Sequence, residues 1–220
     1  MSSDQLKEVI TPYFAFIRKA FLEMLAYRMR YYTGIFTYTI FVTVNYSIWK
    51  AVYASHTSGA SIKGFTLEEM TTYIAVGWIA RSFYYSNLDE SINDIVSKGS
   101  IANYLTRPVD FQAMLFAESI GESLFRLIFF SLPIGIIIYL LFPVMLPNSF
   151  FDGCMFILAT FLGFFVFAAL NFIVGLFSFA LLSIRGVLRA KYFIVQLLSG
   201  LLIPLTFFPD WFRSIVSFLP

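Results

Sequence analysis

Glu118, Glu122 and Arg126 stand four residues apart in succession, so a helix through them holds two carboxylates and a guanidinium on one face. Two carboxylates so placed suit proton transfer, one as acid and one as base. The arginine on the same stripe favours a structural ion network instead, in which Glu122 precedes Arg126 in the orientation a helix prefers. Other chemistry-bearing residues are isolated. His56, the only histidine, lies in a Ser/Gly-rich loop over 55–66 with no second ligand type beside it, so it reads as a solvated side chain. Gly59 and Gly64 have the spacing of a phosphate-binding loop, but Phe65 stands where the lysine must be. Cys154 is the only cysteine, which excludes an intrachain disulfide and leaves the redox compartment open. With no Walker lysine and no cysteine or histidine cluster, no catalytic, metal or cofactor site is expected in this chain.

The elements that must position these residues belong to a chain of marked composition. It is 59% hydrophobic, 20% aromatic and only 13% charged, with a mean hydropathy of +0.79. Its uncharged runs are longer than a soluble core needs. The reading is an all-α polytopic membrane protein, one transmembrane domain over 1–220. A net charge of +2 gives no case for nucleic acid, and no basic run is interleaved with aromatics as a strand-binding groove requires. Asp4, Lys7 and Glu8 interrupt what would be the apolar core of a cleavable leader.

Residues 4–30 follow the helical period with Leu6, Val9, Ile10, Tyr13, Phe14, Ile17, Phe21, Met24 and Leu25, while Lys7, Glu8, Arg18, Lys19, Glu23, Arg28 and Arg30 forbid a spanning run. They predict an amphipathic helix lying on the membrane and bent or restarted at Pro12, either an anchor on anionic lipid or a partner contact. Five spans are expected after it, over 31–54, 67–87, 112–142, 153–184 and 192–207. The first is free of charge until Lys50, with Tyr31, Tyr32, Trp49 and Tyr53 as interface aromatics. The second is the most polar, with Glu68 and Glu69 at its start and Arg81 well inside. Arg81 must face protein, a cavity or the inner interface, or else snorkel to the headgroups. It joins Glu118, Glu122 and Arg126 in an expected ion network at the inner mouth.

In the third span Pro133 and Gly135 permit a bend. In the fourth, Ala159 with Gly163 and Asn171 with Gly175 place small or polar residues four apart, where another helix can approach. Asn171 either contacts cargo or bonds between helices, and Phe164 and Phe167 are candidates to line a path beside it. Arg185, Arg189 and Lys191 mark a compact turn before the fifth span, which Pro204 breaks. Asp210 then caps a short re-entrant or interfacial helix carrying Trp211, Phe212, Ile215 and Val216.

Between the second and third spans lies 87–110, a polar segment. Leu88, Ile92, Ile95 and Val96 lay a narrow apolar stripe on a helix whose other faces carry Asp89, Glu90, Asp94 and Lys98. Gly99 ends that helix, and a short turn with Ile101, Tyr104 and Leu105 follows until Pro108 forces Arg107 towards an extended conformation. The stripe needs a cover, either lipid, a neighbouring loop or a separate cytoplasmic protein.

The order of these pieces, with Lys98-Gly99-Ser100-Ile101, Leu105 and Arg107-Pro108-Val109-Asp110 followed by a long apolar helix, resembles the permease subunits of type-2 ABC exporters. The likeness extends to Leu202-Ile203-Pro204-Leu205 and Phe208-Pro209-Asp210-Trp211. It implies that 87–110 docks on a separate ABC ATPase subunit, which holds the ATP and Mg, with help from the N-terminal helix. It also implies a second permease subunit, the same or a sister chain. The residues it assigns to coupling are Leu88, Asp89, Glu90, Ile92, Asp94, Ile95, Gly99, Ile101, Leu105 and Arg107. The family has six spans, and the sixth is expected to be missing from this chain. A scaffold or assembly factor, or a membrane enzyme of lipid metabolism using Glu118 or Glu122, are the alternatives.

Basic residues orient the chain. With the N-terminus cytoplasmic, twelve of them, including Arg81, Lys98, Arg107, Arg126 and Lys191, fall inside and only Lys50, Lys63 and Arg213 outside. The bias puts 87–110 in the cytoplasm of a cell whose plasma (inner) membrane the chain crosses.

Overall fold

The structure, a computed structural model, describes residues 3–55, 61–181 and 184–219, without the side chains of 3–9 and Arg30. His56 and Gly59 lie outside the described residues, as do the side chains of Leu6, Lys7, Glu8 and Val9. Helices and turns make up what is described, with one isolated bridge between Ile62 and Phe65.

Helix α1 (Ser3–Ala26) runs unbroken through Pro12, so the helix does not restart there. A proline removes only its own N–H and crowds one carbonyl, a local fault that the rest of a long, packed helix can carry. The packing is against α6 (Phe111–Arg126), where Ala20 is buried and Phe21 meets Phe125 edge-on at 5.9 Å. One face of α1 is therefore covered by protein, while Phe14 and Leu22 on another stay exposed.

Helix α2 (Met29–Ala54) keeps its polar residues satisfied internally. The hydroxyls of Thr37, Thr39, Thr43 and Ser47 each donate to the carbonyl four residues back, which lets them sit in apolar surroundings. Helix α3 (Leu67–Tyr84) opens on Thr66, whose hydroxyl accepts from the Glu69 N–H while the Glu69 carboxylate accepts from the Thr66 N–H. Glu69 thus belongs to the cap of α3 and is not a stray charge in an apolar run.

Two short helices follow, α4 (Leu88–Ser97) and α5 (Ile101–Leu105). Helix α6 passes through a π-helical turn at Leu127–Ser131 into α7 (Leu132–Leu141). The wide turn sits just before Pro133, where the absent N–H and the ring would disrupt a tight α-helix. Helix α8 (Phe150–Leu176) is next, then α9 (Arg185–Leu198) and α10 (Asp210–Val216).

Among the described residues, two helical stretches are long and apolar enough to cross a membrane, Phe111–Leu141 and Phe150–Phe179. Helix α8 leaves Phe150, Ile157 and Leu162 exposed, a face suited to lipid rather than water. The expected fifth span over 192–207 is not continuous. Helix α9 stops at Leu198, Gly200 turns the chain at φ 74°, and only a 3-10 turn at Leu205–Phe207 follows Pro204. At 1.5 Å per residue α9 is about 21 Å long, short of the ~30 Å hydrocarbon layer. Asp210 is the first residue of α10 and pairs with Arg213 at 2.7 Å; Pro209 holds the cap position expected for it.

The core forms in two places. Val42, Ala75, Ile134 and Ile138 join α2, α3 and α7 at one end, and Leu88, Ile92, Met114 and Leu115 join α4 to α6 at the other.

Candidate functional site: the α4 junction and the cleft beside Arg81

The apolar stripe of α4 turns inward. Leu88 and Ile92 are 3% and 0% exposed, packed with Met114 and Leu115 of α6, with Phe16 of α1 and Phe172 of α8 at the edge. Ile95 and Val96 are half-buried against the same cluster. For Leu88 and Ile92 the expected cover of lipid, a neighbouring loop or a separate protein is corrected, because the chain's own helices bury them. Helix α8 can lie this close because residue 175 is glycine. A Cβ there would stand 2.7 Å from Ile92 Cδ1 and 3.1 Å from Asp89 Cα. The Asn171 and Gly175 pair is therefore a true helix contact. Gly163 has nothing within 4 Å of where its Cβ would be, so the Ala159 and Gly163 face is uncovered in this chain.

Asp89 is 2% exposed, not part of the outward polar face. Its carboxylate takes the ammonium of Lys191 on α9. Lys191 Nζ also donates to Asn171 Oδ1 at 2.7 Å, and Asn171 Nδ2 donates to the Ser86 carbonyl at 2.8 Å. The link before α4, α4 itself, α8 and α9 are thus tied by one buried polar network. Either charge left alone at such burial would cost several kcal/mol, so the two are held in place by each other. Of the two roles open to Asn171, the structure realises the interhelical bond.

The opposite face of α4 is open to solvent. Glu90, Asp94 and Lys98 are exposed, the last two paired at 2.8 Å. Gly99 takes φ 68°, and the Gly99 and Ser100 N–H groups return to the Val96 and Ile95 carbonyls at 3.0 Å each. These paired bonds close α4 and redirect the chain into α5, a conformation that a side chain at residue 99 would strain. Ile101 is half-buried, while Leu105 is 62% exposed beside an exposed Arg107 that lies 4.7 Å over the Tyr104 ring. Asp110 accepts the Ala113 N–H at 2.7 Å and so caps α6.

The expected ion network at Arg81, Glu118, Glu122 and Arg126 is divided. Glu122 pairs with Arg126 at 3.3 Å, and Glu118 instead takes Lys19 of α1 at 3.0 Å. Burial works against the charge on Lys19, but its hydrogen bond to Glu118 and the nearby Glu118 and Glu23 charges prevail and hold its ammonium above the ordinary lysine range. Lys19, Glu118 and Glu122 line a groove of about 650 Å³ between α1, α2, α4, α5 and α6, which Asp94 and Tyr104 also line.

Arg81 stands apart from that network. Its guanidinium lies among the rings of Trp78, Tyr85 and Tyr192 at 5.0, 5.1 and 5.3 Å and donates to the Tyr38 hydroxyl at 3.2 Å. Such ring contacts contribute about 0.5–2 kcal/mol each. No carboxylate among the described residues pairs with it. The side chain is half-buried and packs on protein rings. A narrow cleft between α3, α8 and α9 runs beside it, lined also by Phe167, Tyr192, Gln196 and Ser199. Phe164 is 2% exposed and packs on Phe83 at 6.1 Å, so it is core and not lining.

The buried pair escaped the sequence because 102 residues separate its members and each stands in a polar stretch. One signal was available. Asp89 precedes Ile92 by three and Val96 by seven residues, which puts it on the edge of the apolar stripe.

A family described as ABC-2 family transporter protein matches residues 39–220, a range that takes in the α4 junction and the Arg81 cleft. No curated protein and no solved structure matches the chain. With most of its length inside that match, the chain belongs to the ABC-2 transporter family, whose membrane permease components are not themselves catalytic and whose membership implies an ABC ATPase partner.

Proposed function

We propose that this permease serves an ATP-driven exporter and that the ATPase stroke enters through the exposed face of α4 and α5. The observation that carries this reading is the division of α4. One edge is buried in the chain's own core and ionically tied to α9, while the other presents Glu90, Asp94 and, at its C-terminal cap, Lys98 to solvent, with exposed Leu105 of α5 following. A partner that grips the outer face moves a helix already fastened to α8 and α9. The buried members Leu88, Asp89 and Ile92 then transmit the stroke and do not touch the partner, whereas Glu90, Asp94, Leu105 and Arg107 do. ATP and Mg²⁺ sit on the ATPase, and its nucleotide-dependent affinity for one arrangement of α4 shifts the permease between inward and outward access.

Length supports α2 and α3 as further spans, at about 39 and 27 Å against a ~30 Å hydrocarbon layer. The α4 end is then cytoplasmic, as is the N-terminus, in agreement with the basic residues gathered there. A second permease, identical or sister, covers the Ala159 and Gly163 face of α8, where small residues allow close approach. The plasma (inner) membrane is the site of action.

The test is purification from native membrane in mild detergent, with mass spectrometry of partners and an ATPase assay. An ATP-binding subunit should accompany the chain, and Leu105→Asp with Asp94→Lys should lower its recovery about tenfold, the scale of an interface hot spot. A chain that purifies with no nucleotide-binding partner, or a partner indifferent to both changes, contradicts the reading.

A further inference from the structure

Helix α9 divides cleanly into an inner and an outer side. Val187, Leu188, Lys191, Tyr192, Val195 and Gln196 are buried or half-buried, whereas Arg185, Gly186, Arg189, Ala190, Phe193 and Ile194 are exposed. At a spacing of four, the exposed six form two adjoining rows, Arg185-Arg189-Phe193 and Gly186-Ala190-Ile194. One end of this face is basic and the other apolar. Lys191 on the inner side has Asp89, but among the described residues Arg185 and Arg189 have no ion pair and no ring contact. The surface beside them is bare. Nothing stands within 4 Å of where a Cβ on Gly186 would be, and Ala190 adds only a methyl group. One turn further on, Phe193 and Ile194 are 62% and 51% exposed. From Arg189 to Phe193 the helix rises about 6 Å. That matches the roughly 5–8 Å depth of one headgroup layer. A protein partner would have to bring carboxylates and an apolar patch in this same order, an order that a bilayer of anionic lipid presents at its interface everywhere.

We propose that the exposed face of α9 seats an anionic phospholipid, its phosphate against Arg185 and Arg189 and its acyl chain along Phe193 and Ile194. The planar guanidinium forks meet phosphate oxygens, which suits arginine better than a point charge. Gly186 and Ala190 leave the headgroup room to lie against the helix. The lipid belongs to the leaflet at the α4 end of the bundle, because Lys191 ties this part of α9 to Asp89 of α4. A headgroup held there fixes the depth of α9, and through that buried pair the depth of α4. That this leaflet is the inner one rests on the orientation proposed above; binding itself requires neither ATPase nor nucleotide.

The experiment uses the full chain with Cys154→Ser and Phe193→Cys, carrying an aromatic dansyl label at residue 193, in phosphatidylcholine vesicles. Phosphatidylglycerol or phosphatidylcholine with a nitroxide on the acyl chain is then added as quencher. A second sample labelled through Ile157→Cys, exposed on the uncharged length of α8, is the reference. At residue 193 the anionic lipid should be preferred about tenfold, on the scale of two basic residues at a membrane surface. At residue 157 the two lipids should quench alike. Arg185→Gln with Arg189→Gln should remove the preference at residue 193. Gly186→Leu with Ala190→Leu, which fills the bare row and keeps both charges, should remove it too. Inorganic phosphate, compared with chloride at equal ionic strength, should leave it unchanged. Equal quenching by the two lipids at residue 193, or the same preference at residue 157, overturns the site. A preference that survives either pair of substitutions also overturns it. Loss to inorganic phosphate assigns the arginines to a free anion and overturns the lipid, as does a residue 193 that neither lipid quenches, since protein then covers the face.

Discussion

Lys191 and Asp89 join α9 to α4 with side chains 7% and 3% exposed, whereas Lys19 and Glu118 join α1 to α6 with side chains 58% and 22% exposed. The chemistry is the same lysine with the same kind of acid. Burial makes the two seams mechanically different. At the α4 seam neither charge can leave its partner without stranding it in apolar surroundings, so the helices must move together. At the α1 seam water and salt replace either partner at little cost, so α1 can shift on α6. A permease that receives a stroke through α4 needs the first kind of joint there, and a helix that adjusts to a docking partner is served by the second.

The largest expected effect is therefore at the buried pair. Lys191→Met alone should lower stability by about 3–5 kcal/mol, and the double change with Asp89→Leu should recover most of that loss, both read from thermal unfolding in detergent. A single-change loss below about 1 kcal/mol would remove the contrast between the seams. Asn171→Leu comes next, at about 1–3 kcal/mol, since it strands the Ser86 carbonyl and takes one partner from Lys191. Gly99→Val should cost about 1–2 kcal/mol by forcing a branched side chain into the left-handed region, and should reduce ATPase copurification by displacing α5.

The smallest effect is at Lys19→Met, no more than about 1 kcal/mol at so exposed a pair. Its pH dependence has a definite sign. The folded-state lysine titrates above its unfolded value, so its contribution is fully present below that value, near pH 10.4, and fades as pH rises through the higher folded value. A spin label at Leu22 should become more mobile at that alkaline limit, and also in 1 M salt, while a label at Ser97 on α4 should not respond to salt.

Much of the architecture was legible because hydropathy and local signals act along the chain. The long apolar helices expected over 112–142 and 153–184, found as Phe111–Leu141 and Phe150–Phe179, the Gly99 stop and the Glu122 and Arg126 pair all follow from neighbours within a few residues. What was not legible depended on partners far away in sequence. The period placed Asp89 among exposed acids, and only the approach of α8 at Gly175 and of Lys191 makes it a buried ligand. Arg81 was grouped with the acids because both kinds of charge sit near the inner ends of their helices, yet the rings of Trp78, Tyr85 and Tyr192 claim it first. The fifth span was expected with its break at Pro204, and what hydropathy averaged over is the earlier turn at Gly200. Thr66 and Glu69 show the reverse lesson, since a capping box was present and its glutamate was counted only as a charge.

The most direct test of the rigid α4 seam is the distance between spin labels at Ser97 on α4 and Arg189 on α9, with Cys154 replaced by serine, in the complex with its ATPase with and without ATP. A third label at Thr37 on α2 supplies the reference. If α4 and α9 are one moving body, the Ser97 to Arg189 distance stays constant between nucleotide states while the Ser97 to Thr37 distance changes. A Ser97 to Arg189 distance that changes with nucleotide would show that the Asp89 and Lys191 joint opens in the cycle and would contradict the account.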